Sequence, residues 1–156
     1  MIPLDIPGFG KLALAHLVLD FNGTLAVDGR LLPGVADVLR DLASSLRIHV
    51  VTGDTFGLAR AELAGLPVEI LVIAPERQAE AKVRYVTELG ADAVVAIGNG
   101  RNDRGMLHAA ALGIALIQRE GGAAETLASA DLVSTSILDA LNLLRNPKRV
   151  AATLRS

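Results

Sequence analysis

With 156 residues, 51% of them hydrophobic but only 3% aromatic, the chain has material for one aliphatic core, and a single domain over 1–156 is expected. A net charge of −2, with acidic and basic residues interspersed, gives no electrostatic reason to expect nucleic acid as a partner. No run of about 18 apolar residues occurs, so no membrane span is expected, and the lack of cysteine excludes disulfides and thiolate metal sites and makes a cytoplasmic location the default.

The start, Met1 to Pro7, lacks a basic region followed by an apolar core and does not read as a signal peptide. Ile2, Leu4 and Ile6 alternate, Pro7 to Gly10 supplies turn chemistry, and Leu12 and Leu14 alternate again, which predicts a short β-hairpin. The run Leu17-Val18-Leu19-Asp20, closed by Asn22-Gly23-Thr24, predicts a buried strand that delivers Asp20 to a sharp turn. Ligands bind at the carboxyl ends of strands in open α/β sheets, which makes Asp20 a candidate. For one isolated Asp, a turn or cap role competes with that reading.

Asp28-Gly29 between apolar residues predicts a second hairpin over Ala26 to Leu31. A helix follows from Pro33 or Gly34 to about Ser44, with Val35, Val38, Leu39 and Leu42 on one face. The strand Ile48 to Val51 ends in Thr52-Gly53-Asp54. A helix from about Phe56 to Leu63, a strand from Val68 to Ile73, and a helix from Pro75-Glu76 to about Leu89 come next, with proline in a favoured first-turn position. Strands near 93–97 and 113–117 alternate with helices near 103–111 and 121–128. Leu132-Val133 reads as an edge strand, and the tail from Ser136 is helical with an interruption at Pro147. The alternation predicts an α/β fold with a central, mostly parallel sheet and helices on both faces.

Four polar elements lie in order on this frame: Asp20, Thr52-Gly53-Asp54, Lys82, and Gly98-Asn99-Gly100-Arg101-Asn102-Asp103. The set resembles the motifs of the haloacid dehalogenase (HAD) superfamily over roughly residues 15 to 135, and looks most like the phosphorylation domain of P-type ATPases. The resemblance implies a three-layer Rossmann-like fold and phosphoryl transfer to Asp20 as nucleophile, on a small phosphorylated substrate. It implies Mg²⁺ held by Asp20, the backbone carbonyl of Asn22 and the side chain of Asn99, with Asp103 taking over or acting through water. It gives phosphate binding to Thr52, Gly53, Lys82 and the amides of Gly23 and Thr24. Plainer roles compete with these: a turn hydroxyl for Thr52, a solvated helix lysine for Lys82 with Arg77 as substitute, and helix caps for Asp54 and Asp103.

Two departures bear on activity. Asn22 stands where HAD phosphatases carry the Asp that protonates the leaving oxygen, and Asn99 stands where Asp is usual. The resemblance therefore implies a Mg²⁺-dependent phosphohydrolase or phosphotransferase suited to good leaving groups; the alternative is a phosphate- or nucleotide-binding regulatory module with weakened catalysis. The intervals from Asp20 to Thr52 and from Thr52 to Lys82 are too short for a cap domain. A capless site open to water is expected, covered by a neighbouring subunit in a homo-oligomer, dimer or tetramer.

Overall fold

The computed structural model describes residues 1–54 and 57–156. The chain opens with an antiparallel hairpin, β1 (Ile2–Ile6) and β2 (Gly10–Leu14), whose alternating Ile2, Leu4 and Ile6 turn inward. It enters the central sheet through β3 (His16–Asp20). A two-stranded flap, β4 (Ala26–Val27) and β5 (Arg30–Leu31), and helix α1 (Val35–Leu42) precede β6 (Arg47–Thr52). Then come α2 (Leu58–Glu62), β7 (Val68–Val72), α3 (Gln78–Leu89), β8 (Val94–Gly98) and α4 (Arg104–Ala109). The remainder is β9 (Leu112–Leu116), α5 (Ala124–Ser129), β10 (Leu132–Ser134), α6 (Ile137–Arg145) and α7 (Pro147–Leu154).

The central sheet has the order β10-β9-β8-β3-β6-β7, with every neighbouring pair parallel. The chain leaves β3 for β6 and β7 on one side and returns to β8, β9 and β10 on the other. This reversal opens a crevice at the carboxyl end of β3, where Asp20 lies. Side chains alternate across a strand, and the alternation sorts the core into two halves. Leu17, Leu19, Ile48, Val50, Val95 and Ile97 pack with α1, α6, α7 and the N-terminal hairpin. Val18, Val51, Val94 and Ala96 pack with Val86 of α3 and Met106 and Leu107 of α4. Asp20 shares the parity of Val18 and so points toward the face that α3 covers.

Element ends follow local chemistry. Ser136 caps α6 by accepting from the Asp139 amide at 3.1 Å, and Pro147 opens α7, where its missing N–H is not needed. The third helix departs from the sequence expectation: it starts at Gln78, not at Pro75-Glu76, because Arg77 is left-handed at φ 58° and breaks the helical path. Val38, expected on the apolar face of α1, is half-buried, whereas Val35, Leu39 and Leu42 are buried. The second helix is described from Leu58; its expected start at Phe56 lies outside the described residues.

A buried polar network lies lower on the same α3 face. His49 is 1% exposed; its Nε2 is 3.1 Å from His16 Nδ1 and its Nδ1 is 2.8 Å from the Tyr85 hydroxyl. Glu69 approaches His49 Nδ1 at 3.6 Å and is itself paired with Arg47. Burial holds both imidazoles below the ordinary histidine value; Glu69 opposes this and Arg47 adds to it. The unfolded chain then binds more protons than the folded one just below about pH 6.5, so the network's stability is present above that pH and lost as pH falls through it. His49→Gln removes one of the titrations. The difference in thermal midpoint between the native protein and this variant is expected to widen as pH rises from about 5 to about 7.5; a difference independent of pH in a denaturation series would contradict it.

Candidate functional site

The register of the sheet pairs Asp20 with Val51 and Leu19 with Ile97, so Asp20, Thr52 and Asn99 leave it at one end. The turn after β3 winds around one carbonyl. Phe21 O accepts from the amides of Thr24, Leu25 and Ala26 at 3.1, 2.9 and 3.1 Å, while Gly23 N donates to Ala26 O at 2.8 Å. Gly23 has φ 80°, and a Cβ there would collide with the Asn99 side chain, so glycine is required twice over. The sequence reading offered the Gly23 and Thr24 amides to a bound phosphate. In the structure both amides donate within the turn.

Lys82 is brought to Asp20 from the middle of α3. It is 2% exposed, with Nζ 2.9 Å from Asp20 Oδ1, 2.6 Å from Asp103 Oδ1 and 3.4 Å from Asn102 Oδ1. It is therefore no solvated helix lysine, and Arg77, exposed and paired with Glu80, does not replace it. Burial pulls the ammonium down, but Asp20 and Asp103 outweigh burial and hold it above the ordinary lysine value. Asp20 is pushed up to about 7, by burial first and by the Asp103 charge second, against the pull of Lys82.

Asp103, expected as a metal ligand, is fully buried behind Lys82. Its Oδ1 takes the ammonium and its Oδ2 accepts from the amides of Asn99 and Gly100 at 3.1 and 2.9 Å. Both oxygens are thus committed within the protein. Gly98 makes this possible, since a Cβ there would lie 2.5 Å from the Asp103 carboxyl carbon.

The Asn99 amide is oriented by its Nδ2, which donates to Gly121 O at 3.1 Å. Its Oδ1 and Asp20 Oδ2 each lie 3.4 Å from the Thr24 hydroxyl, so two acceptor oxygens share one loosely held proton. The buried Thr52 hydroxyl accepts from the Asp54 amide at 3.3 Å, which leaves its own proton available to a ligand. Asp54 has φ 30°, and its carboxylate accepts from the Ala59 and Arg60 amides at 2.7 and 3.3 Å, capping α2.

Asp20, Thr52, Asp54, Lys82 and Asn99 floor and wall a cleft of about 430 Å³ that also includes Asn22, Gly53 and Phe21. Asn22 is exposed at its mouth. The sequence reading gave no role to Gln78, Asn102 or Leu58, which line the same cleft. Asn102 Nδ2 donates to Gln78 Oε1 at 2.9 Å, so Gln78 steadies the amide beside Lys82. The Asn102 position inside the Gly98 to Asp103 element could have signalled this; Gln78 carries no such signal.

No protein-family model matches the chain. A protein of uncharacterised function from Methanocaldococcus jannaschii is 43% identical over 79 residues, 48% of this chain and 85% of that protein. A structure described as a HAD family hydrolase from Streptomyces avermitilis matches with TM-score 0.68 at 19% identity, over 92% of this chain and 87% of its own. A 3-deoxy-D-manno-octulosonate 8-phosphate phosphatase from Moraxella catarrhalis, solved with magnesium, phosphate and KDO, matches with TM-score 0.66 at 19% identity, over 91% and 94%. A zinc-transporting PIB-type ATPase is 28% identical over 79% of this chain with TM-score 0.63, a match that spans 20% of the ATPase. The fold of this chain is that of the haloacid dehalogenase hydrolases and of the PIB-type ATPase domain that it matches. Among the described residues the chain carries no cap domain: between β3 and β6 lie only the flap and α1, and only α2 and β7 intervene before α3.

The charge balance of this site makes opposite predictions for its two ends. Asp20 has a raised folded pKa, so it favours the folded state at low pH, and that contribution is lost as pH rises through about 7. Asp20→Asn is therefore expected to raise the thermal midpoint of metal-free protein above about pH 8, and to raise it less near pH 5. Lys82→Met leaves buried Asp103 and part-buried Asp20 without their shared cation and is expected to cost roughly 3 kcal/mol or more at neutral pH. Chemical denaturation of both variants checks the pair of signs.

Proposed function

We propose that the chain is a Mg²⁺-dependent phosphohydrolase or phosphotransferase that works through an aspartyl phosphate on Asp20. The observation that carries this reading is part-buried Asp20 paired with buried Lys82, itself backed by buried Asp103, at the floor of an open cleft. One Asp20 oxygen is tied to the ammonium at 2.9 Å, and the other lies 3.4 Å from the Thr24 hydroxyl. The divalent metal is supported by the donor set. Asp20 Oδ2 and Asn99 Oδ1 are hard oxygens that share one proton donor, Thr24, and with the Asn22 carbonyl they would hold the ion. No cluster of three His, Cys, Asp or Glu suited to a metal occurs among the described residues, so amide and carbonyl oxygens are needed. When bound, the ion supplies charge that offsets the repulsion between a carboxylate and a phosphate dianion.

The chain's own residues account for the rest. A carboxylate oxygen of Asp20 attacks phosphorus as the bond to the leaving oxygen breaks, and the electron pair departs with the leaving oxygen. Lys82 Nζ balances charge on Asp20 and on the phosphoryl oxygens, held in place from behind by Asp103. Thr52 gives its hydroxyl proton to a phosphoryl oxygen, with Gly53 beside it in the cleft wall. Asn22 has no proton to give, so substrates whose leaving group departs as an anion are favoured: phosphoanhydrides, acyl phosphates and aryl phosphates. Water then hydrolyses the aspartyl phosphate, or an acceptor takes the phosphoryl group. The exposed cleft fits coverage by a second subunit in a homo-oligomer. Among the described residues no helix is long and apolar enough to cross a membrane, and the lack of cysteine accords with a cytoplasmic location.

Asn22 and Asn99 together favour a second reading, a phosphate- or nucleotide-binding regulatory module. Steady-state hydrolysis of an aryl phosphate with Mg²⁺ separates the two. Native turnover, loss to background in Asp20→Asn, and a gain on the order of 10²-fold in Asn22→Asp are expected. If the native protein and Asn22→Asp are both inert with metal present, the phosphoryl-transfer reading fails and the module stands.

A further inference from the structure

We propose that Gln118 is a positioning residue for this site: its side-chain amide pins the Asp20 turn to the loop that orients Asn99, and so sets the spacing of the two oxygens that would hold the metal. The inference rests on the phosphoryl-transfer reading for its consequence, but its basis is the hydrogen-bond pattern. Gln118 lies just past β9 and is not among the residues that line the cleft, so it acts through others. Its Nε2 donates to Thr24 O at 2.7 Å and to Gly23 O at 3.1 Å, and its Oε1 accepts from Ile137 N at 2.9 Å. Ile137 opens α6, and its amide has no acceptor within the helix. One side chain therefore ties the Asp20 turn to a helix end, with three bonds that no single rotation preserves.

The same loop holds the other oxygen. Gly121 O accepts from Asn99 Nδ2 at 3.1 Å, and Ala123 N donates to Asn99 O at 2.8 Å. Residues 118–123 thus grip the Asp20 turn at one end and Asn99 at the other, and Thr24 Oγ1 lies 3.4 Å from the facing oxygens of both. Partners that orient metal ligands in this way commonly change metal affinity by about tenfold or more when removed.

Gln118→Glu separates positioning from simple capping. A carboxylate of the same length still accepts from Ile137 N and suits a helix N-terminus, so α6 keeps its cap and the fold its anchor. Its second oxygen cannot donate to the carbonyls of Gly23 and Thr24. Amide hydrogen exchange at Leu25 and Ala26, whose N–H groups close the turn onto Phe21 O, is expected to quicken. Mn²⁺ binding followed by electron paramagnetic resonance is expected to weaken by about tenfold, with kcat for an aryl phosphate reduced and KM little changed. Unchanged exchange and unchanged Mn²⁺ affinity in Gln118→Glu would overturn the proposal while leaving the phosphoryl-transfer reading intact. A native protein that neither binds Mn²⁺ nor turns over an aryl phosphate would overturn both.

Discussion

Lys82 carries one positive charge between two carboxylates, buried Asp103 and part-buried Asp20, and that imbalance shapes the structure around it. An ammonium almost without exposure is tolerable only if its three protons find acceptors, and Asp20, Asp103 and Asn102 supply them. Asp103 in turn is tolerable only because two backbone amides meet its second oxygen. Those amides belong to Asn99 and Gly100, so the charge on Lys82 also fixes the loop that presents Asn99. The chain of dependence ends at Asp20, the one member whose second oxygen is left undersupplied. The fold has displaced its unmet electrostatic demand to a single atom at the open end of the sheet.

That atom is positioned by strand parity and sheet order, not by a dedicated loop. His16, Val18 and Asp20 share a face of β3, and α3 covers that face with Val86, Tyr85 and Lys82 in turn. The same helix therefore touches the polar histidine network at one level and the cleft at another. Because β3 sits between β6 and β8, both halves of the sheet contribute to the cleft: Thr52 from one side and Asn99 from the other. The absence of an inserted domain among the described residues leaves the site to be organised from below, by loops at the strand ends.

How much of this could be read from the sequence varied with how local the signal was. Asp20, Thr52 and Asn99 sit where apolar runs end in turn residues, and the sheet, its helices and both hairpins followed from the same punctuation. Lys82 was harder, since a helix lysine is exposed by default and its partners appear only in three dimensions. The direction of a peptide group has no sequence signature, so nothing in the chain announces that the Gly23 and Thr24 amides donate within the turn. Asp103 looked like an available carboxylate because nothing in the chain announces that two amides and an ammonium already claim it. Arg77 reset the start of α3 by adopting a left-handed conformation that its residue type does not suggest. His49 simply interrupts an apolar strand, and Gln118 lies in a loop without pattern.

The turn around Phe21 O and the amide clasp of Asp103 also bear on how the protein ages. Both candidate asparagines precede glycine, the pairing in which the next backbone nitrogen most readily attacks the side-chain carbonyl, expels ammonia and leaves aspartate or isoaspartate through a cyclic imide. Here the Gly23 nitrogen is bonded to Ala26 O at 2.8 Å and the Gly100 nitrogen to Asp103 at 2.9 Å. Attack would require each nitrogen to abandon its acceptor and each turn to open. Folding thus shields the two amides from spontaneous conversion to acids, and the chemical identity of the site becomes a property of the native state, renewed as long as the chain stays folded.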